Sequence, residues 1–488
     1  MIKNIFWFRT DLRLEDNHAL AEATKSGKTL CIFIIDPKLI ENAKYSKRLA
    51  FLFYSLKDLQ ENLKKHQSNL LIIEGNPKEK LLEICKITKA EKLFFNNDYS
   101  PFAIKRDNII QDTLKNINII VERHKDYYIF APNEIGKIDK SPFKVFTAYK
   151  TTWLNEVKNN PSSINTYQTN FKNLSQDKLE IKGIDLNKYL DIYKKDLVDI
   201  FPPSFQEAQT RWMHFVKNKI RGYATDRSFL DHITDNEISG TSTMSPYIKF
   251  GLISIRQIVR DCINYLGPDF NDFHRFNNNN NITGFNTYLS EIIWREFYKM
   301  IIFYFPHSIN NSYQDKFNNL EWSKDQNNFD MWCQGKTGYP VIDAAMIQLN
   351  SIGWMHNRAR MIVASFLCKD LHINWKWGER YFYEKLIDYD LGSNIGGWQW
   401  TAGTGTDAAP YFRVFNPIEQ GNKFDTSGNF IKKYLPQLSK LPNKYIHNPW
   451  GLSENELEFL GIKLGENYPF PIVNHKEERI RTLEFYKM

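Results

Sequence analysis

Short apolar runs separated by longer mixed segments open the chain: Ile5 to Phe8, Leu30 to Ile35, Leu70 to Glu74, Lys92 to Phe95 and Ile117 to Val121. Between them, Arg48 to His66 and Pro77 to Ile87 repeat their apolar positions at helical spacing. The alternation predicts a Rossmann-like parallel sheet with crossover helices, an α/β domain over residues 1–130. From Ile129 to Phe201 the pattern is irregular and broken by Pro132, Pro142 and Pro161, which predicts a connector over 131–203 with one helix inside Pro142 to Val157. After Ser204 the periodicity is mostly helical, so 204–488 reads as a large all-α domain. The asparagine run from Asn277 to Asn281 predicts an exposed loop between helices.

Composition adds bounds to this picture. A chain of 488 residues supports two or three domains and needs no staples to bury a core. Its 35 Phe, 25 Tyr and 12 Trp supply much aromatic surface, suited to stacking on planar ligands. With 64 Lys and Arg against 56 Asp and Glu the net charge is +8, which suits a localised basic face, although solvated charged faces would look the same. Cys31, Cys85, Cys262, Cys333 and Cys368 are scattered and odd in number, with no CxxC pair, so neither a disulfide framework nor a metal site is expected. No apolar run is long enough for a membrane span and MIKNIFWFRTDLR is charged too early for a signal peptide, so a soluble cytoplasmic protein is expected.

Between Gly335 and Pro410 tryptophans, arginines and carboxylates are enriched together. Buried charges must be paired or must hold something. After Gly353 the spacing predicts a helix on which Asn357 shares a face with Arg360 and Met361, while Arg358 points about 100° away from Asn357. One arginine can then face a buried ligand and the other a second site; taken alone, the segment would equally be an amphipathic surface helix. Asp388 and Asp390 follow, and Arg360 with Asp388 is the expected ion pair. Gly392, Gly396 and Gly397 allow close approach to a flat ligand. Trp398 and Trp400, about 200° apart if helical, should face inward and outward respectively.

Two further segments carry candidate chemistry. In GTSTMSPYIKFG, Thr241, Ser242, Thr243 and Ser245 place four hydroxyls before a helical segment, an anion site suited to a pyrophosphate. No GxGxxG and no complete GxxxxGK[ST] sequence accompanies them. In EIIWREFY, Glu291 and Trp294 share a helix face while Arg295 turns toward the next.

Taken in order, WFRTDLRLEDN (Trp7 to Asn17), GTSTMSPY, WREFY, TGYPVIDAAM, GWMHNRARM, GGWQW and YPFPIVNHKEER resemble the motifs of the photolyase/cryptochrome family over essentially the full length. The resemblance is to the class I cyclobutane pyrimidine dimer photolyases of bacteria in particular. It implies light-dependent repair of UV-damaged DNA, with residues 1–130 as antenna domain, 131–203 as linker and 204–488 as a helical domain holding FAD. By motif position, Tyr223, Thr241, Ser242 and Ser245 would hold the ribityl and phosphate part with Arg295, and Thr243 and Met244 share that loop. Asn357, Arg360, Asp388, Asp390 and Asn394 would surround the isoalloxazine and adenine, with the Asn394 amide opposite the flavin N5.

On the substrate side, the resemblance implies that Trp294 and Trp400 clasp the extruded bases and that Glu291 hydrogen-bonds the dimer. Asn357 and Met361 would line the pocket, and Arg227 and Arg358 would grip the DNA backbone. Relatives acting on the 6-4 photoproduct carry a proton-donating histidine where Met361 stands. Trp398, Trp375 and Trp322 match a three-indole electron relay, Trp398 innermost. A monomer is expected, and the alternative within the resemblance is a cryptochrome-like blue-light photoreceptor.

Thr243 stands where relatives often carry arginine. For the second chromophore, Phe102 and Ala103 occupy the places of the Asn and Glu found in folate-binding relatives, Ala43 stands near a histidine position, and Asn310 replaces a lysine. The expectation is a deazaflavin or FMN antenna rather than methenyltetrahydrofolate, or none.

Overall fold

The computed structural model describes residues 2–41, 45–177, 181, 183–232, 238, 240–267 and 280–487. Ala43 falls outside the described residues, as does the loop expected at Asn277 to Asn279; Asn280 and Asn281 open the helix Asn280–Tyr304.

Five strands, β1 (Asn4–Phe8), β2 (Thr29–Ile35), β3 (Leu70–Glu74), β4 (Lys92–Asn96) and β5 (Ile120–His124), form one sheet in the order β3-β2-β1-β4-β5. Every pair is parallel, with Phe6 of β1 opposite Cys31 on one side and Phe94 on the other. β1 and β2 are buried along their whole length. Strands covered on both faces have no polar side to alternate with, which is why they read as unbroken apolar runs. Ile5, Trp7, Ile32 and Phe95 share a core with Leu81, Ile84, Ile110 and Leu114 from the covering helices.

Helices His18–Ser26, Pro77–Thr88 and Pro101–Lys115 start on the loops leaving β1, β3 and β4. Asn17, Asn76 and Ser100 each accept a backbone N–H of the first turn there, satisfying a donor that the helix itself leaves open.

One strand differs from expectation. The apolar run Ile117 to Val121 predicted the fifth strand, but pairing begins at Ile120 and continues to His124. Residues 116–118 turn at the end of the preceding helix, with Asn118 at φ +60°, and Ile117 and Ile119 pack on the core from that turn. β5 itself is a half-exposed edge, so its polar Glu122 and Arg123 hid it.

The segment read as a connector is well packed at its start. It contains the helix Phe146–Asn159, whose Tyr149 and Trp153 are fully buried. The Glu296 carboxylate accepts from the backbone N–H groups of Ile129 (2.6 Å) and Phe130 (3.3 Å) and from Trp153 Nε1 (2.7 Å). Burial pushes its pKa up, and these three donors oppose the shift.

Packing divides the chain into two compact units: Met1–Arg221 with Thr243–Tyr304, and Gly222–Ser242 with Phe305–Met488. The second unit is built of helices, among them Pro340–Ile352, Asn357–Ser365, Trp375–Lys385 and Leu391–Ala402, with a π-helical turn over Phe366–Asp370. Among the described residues no helix is long and apolar enough to cross a membrane.

Candidate functional site

Within the second unit, the helix Asn357–Ser365 is capped by His356, whose Nδ1 accepts from the Arg358 N–H at 3.1 Å. His356 is buried, and burial together with Arg358, Arg360, Arg227 and His232 holds its pKa down to about 3, so it caps as a neutral ring. Arg360 Nη2 meets Asp388 Oδ2 at 2.8 Å, the pair the spacing predicted, and Arg360 Nε donates to the Met355 carbonyl at 2.8 Å. Asn357 is exposed at the start of the same helix, with Nδ2 4.0 Å from Met361 Sδ.

Asp390 caps the helix Leu391–Ala402 by accepting from Ser393 N–H at 3.1 Å. One turn on, Asn394 Nδ2 donates to the Glu379 carboxylate at 2.9 Å and to its carbonyl at 3.2 Å. Glu379 was not singled out in the sequence. Its role depends on the packing of Trp375–Lys385 against Leu391–Ala402, and no local motif carries it. The bond fixes the Asn394 amide, turning its Nδ2 toward Glu379.

Trp398 is buried and Trp400 half-exposed, the inward and outward pair that the two-residue spacing predicted. The Trp398 ring occupies the space where a side chain on Gly378 would stand, which is why that helix position carries glycine. Thr241 Oγ1, Asp388 Oδ1 and Trp398 Nε1 are among the buried polar atoms of this unit that have no hydrogen-bond partner among the described residues, as is His356 Nε2.

Arg358 leaves the helix on another face. Its Nη2 donates to Ser228 Oγ at 3.0 Å and its guanidinium sits 4.2 Å from the Phe424 ring centre. Burial, then the nearby Arg227, lowers its pKa. Arg227 in turn lies 5.6 Å over the Tyr223 ring. Two half-buried guanidiniums close together are suited to a polyanion.

Within the first unit, Thr243 and Met244 are buried and Ser245 opens the short helix Ser245–Lys249. Thr243 Oγ1 accepts from Arg211 Nη1 at 2.7 Å. Glu291 and Trp294 lie on the helix Asn280–Tyr304. Glu291 faces Lys150, whose pKa is lowered by burial against the pull of Glu291. Trp294 stacks on Phe146 at 3.6 Å, so one of its faces is covered. Arg295 Nη1 donates to the Tyr127 carbonyl at 2.7 Å, and its guanidinium lies 5.6 Å from the Tyr128 ring centre.

The same unit holds a cavity of about 620 Å³ near the carboxyl ends of β2 and β3, lined by Asp36, Leu39, Asn76, Phe102, Arg106 and Ile109. Phe102, singled out in the sequence, is 63% exposed at this cavity. Asn310 is exposed in the second unit.

Residues 4–167 match the family described as DNA photolyase, and residues 288–488 match the FAD binding domain of DNA photolyase. A deoxyribodipyrimidine photo-lyase of Alkalihalophilus pseudofirmus is 37% identical over 492 residues, covering 99% of this chain and 97% of the relative. The chain belongs to the DNA photolyase family. It carries the family's FAD-binding domain, and that match contains Glu291, Asn357, Arg360, Asp388 and Asn394. The photolyase likeness extends to three dimensions. A bacterial class III photolyase from Agrobacterium tumefaciens superposes with a TM-score of 0.88 at 32% identity, covering 100% of this chain and 97% of the other. An archaeal photolyase from Sulfolobus tokodaii, solved with two FAD molecules, does so with a TM-score of 0.77 at 30% identity, covering 100% of both chains.

Proposed function

We propose that this protein repairs UV-damaged DNA in light by splitting cyclobutane pyrimidine dimers, in the manner of the class I enzymes, with residues 1–130 as antenna domain, 131–203 as linker and 204–488 as catalytic domain. The observation that carries the cofactor half of this reading is Asp388, one oxygen paired with Arg360 and the other buried without a partner among the described residues. Unpaired buried polar atoms are costly, so such an oxygen marks a donor supplied from outside the protein. Thr241 Oγ1 and Trp398 Nε1 ask for further partners. FAD brings ring N–H donors, carbonyl acceptors and phosphates, and these residues fit it.

Asp388, Arg360, Asp390, Asn394 and Asn357 would hold the ring system, and Tyr223 with the 241–245 loop and Arg295 the ribityl and phosphate chain. Bound, reduced and excited by blue or near-ultraviolet light, FAD supplies one electron and takes one back. Asn394 presents a neutral amide, oriented by Glu379, where a carboxylate would repel negative charge. On the substrate, the dimer gains one electron, its two bridging C–C bonds open, and one electron is returned, so no net oxidation occurs.

Trp400 and Trp294 would stack on the extruded bases, with roughly 1–3 kcal/mol per base from such contacts. Glu291 would hydrogen-bond the dimer, Arg227 and Arg358 would hold its flanking phosphates, and Met361 supplies apolar lining and no proton. Light and dark incubation of the reduced, FAD-loaded protein with dimer-containing DNA tests the reading: monomeric pyrimidines should appear in light alone. Flavin bound and reduced with no light-dependent monomerisation overturns it.

For the second chromophore, the cavity beside Phe102 suits a flat aromatic ring stacked on the phenyl group, with Arg106 and Lys38 for an acidic tail. This supports a deazaflavin or FMN antenna, and the absorption spectrum of the purified protein separates these from a folate.

A further inference from the structure

Arg358 is a half-buried guanidinium that pairs with no carboxylate among the described residues, although Arg360 on the same helix meets Asp388 at 2.8 Å. What touches Arg358 is neutral. Its Nη2 donates to Ser228 Oγ at 3.0 Å, the Phe424 ring centre lies 4.2 Å from its guanidinium carbon, and its buried Nε has no partner among the described residues. The charged group acting on it is a second cation, Arg227. Burying a charge without a counterion is unfavourable, so this cage holds a cation whose negative partner comes from outside the protein.

The acid nearest in sequence to Ser228 on its far side is engaged elsewhere. Asp231 Oδ2 accepts from Thr426 Oγ1 at 3.1 Å, from the Ser427 N–H at 3.3 Å and from Ser427 Oγ at 2.9 Å. The Leu230 N–H donates to the Phe424 carbonyl at 2.6 Å. These bonds tie residues 228–231 to the turn 424–427, and so fix Ser228 and Phe424 relative to one another. The exposed Lys423 ammonium lies 5.3 Å from the same ring centre. An aromatic face attracts cations through its quadrupole without cancelling their charge, so Phe424 gathers two cations that a carboxylate would neutralise.

We propose that Phe424 and Ser228 are positioning residues for DNA binding: they hold the Arg358 guanidinium in place as an unneutralised cation, and Asp231 fixes the turn that carries Phe424. The proposal rests on the reading that Arg358 meets a backbone phosphate of the damaged strand. A guanidinium stacked on a ring keeps one plane, which suits two-point contact with phosphate oxygens. A free arginine arm would have to give up its rotamer freedom on meeting DNA. Here folding has already ordered it, so less is lost on binding.

The test is equilibrium binding of the FAD-loaded full chain, in the dark and over a range of salt, to a labelled duplex containing one thymine dimer. Arg358→Ala should raise Kd about tenfold and lower the salt slope by about one, because one phosphate contact is lost. Phe424→Leu should do nearly the same, and Ser228→Ala should raise Kd in the same direction. Phe424→Tyr keeps the ring and should restore most of the affinity. Adding Phe424→Leu to Arg358→Ala should cost nothing further, since both remove one interaction. Flavin content and the thermal midpoint report on folding of the Phe424 variants; Ser228→Ala alters only a half-buried hydroxyl and carries the test if Phe424→Leu does not fold. If the double variant loses affinity additively, or if Phe424→Leu and Ser228→Ala bind as wild type while Arg358→Ala does not, the positioning role is wrong. If Arg358→Ala itself binds with unchanged Kd and salt slope, the reading of Arg358 as a phosphate contact falls, and the positioning role with it.

Discussion

Arg211 clasps Thr243: its Nη1 donates to Oγ1 at 2.7 Å, while the threonine backbone stands at φ +51°. A β-branched residue in the left-handed region is strained by about 1–3 kcal/mol and persists only where its surroundings hold it. Arg211 is itself braced by Glu207 at 2.8 Å and by the Ile200 carbonyl at 2.9 Å. The loop expected to bind phosphate is thus set by an arginine from the helix Phe205–Asn218. Arg211→Ala should cost about 1–3 kcal/mol in denaturant unfolding and lower the flavin retained after gel filtration. Retention equal to wild type would separate Arg211 from the cofactor loop.

Asp388→Asn keeps the shape of the side chain and removes its charge. Arg360 is 27% exposed, so water screens part of the loss, and a stability cost of about 1–2 kcal/mol is expected. The larger effect should be on flavin content, read as the ratio of flavin to protein absorbance after desalting. A fully loaded variant would show that the unpartnered oxygen is not waiting for a cofactor.

Gly378→Ala places a methyl group inside the Trp398 ring, so the helices Trp375–Lys385 and Leu391–Ala402 must separate. Overpacking of this kind costs about 1–3 kcal/mol. Thermal unfolding should show the loss, and light-driven flavin reduction should slow as Trp398 is displaced. An unchanged photoreduction rate would place Trp398 outside the electron path.

Histidine burial sets an acid limb. His356 has its pKa depressed from 6.5 to about 3, so between these values the unfolded chain binds a proton that the native state does not. Stability therefore falls as pH drops from about 6.5 toward 3. Asp425 acts the other way: burial raises its pKa to about 7, so its native form is favoured as pH falls from about 7 toward 3.8. Urea midpoints measured across this range should show a shallower acid slope in His356→Gln and a steeper one in Asp425→Asn. Parallel curves for all three proteins would contradict these shifts.

What could be read from the chain depended on how local each signal was. β1 and β2 were legible because strands buried on both faces leave continuous apolar runs, whereas β5 was displaced by Ile117 and Ile119, which pack from a turn. Arg360 and Asp388 could be paired in advance because a buried arginine needs a carboxylate nearby in the sequence of helices. Glu379 against Asn394, Arg211 against Thr243 and Phe424 against Arg358 could not. Each joins elements whose approach is decided by packing, and none leaves a mark on the residues around it.

Glu296 has a consequence for anyone exchanging parts of this protein. Its carboxylate gathers the amides of Ile129 and Phe130 and the indole N–H of Trp153, so the segment that follows β5, the helix Phe146–Asn159 and the helix Asn280–Tyr304 share one buried anion. A chimera joined at residue 130 with a foreign partner lacking that carboxylate would strand the two backbone donors of Ile129 and Phe130 in an apolar interior. The sheet is therefore not a cassette: a transplantable piece must travel with its distant glutamate, or bring a substitute acceptor to the same spot.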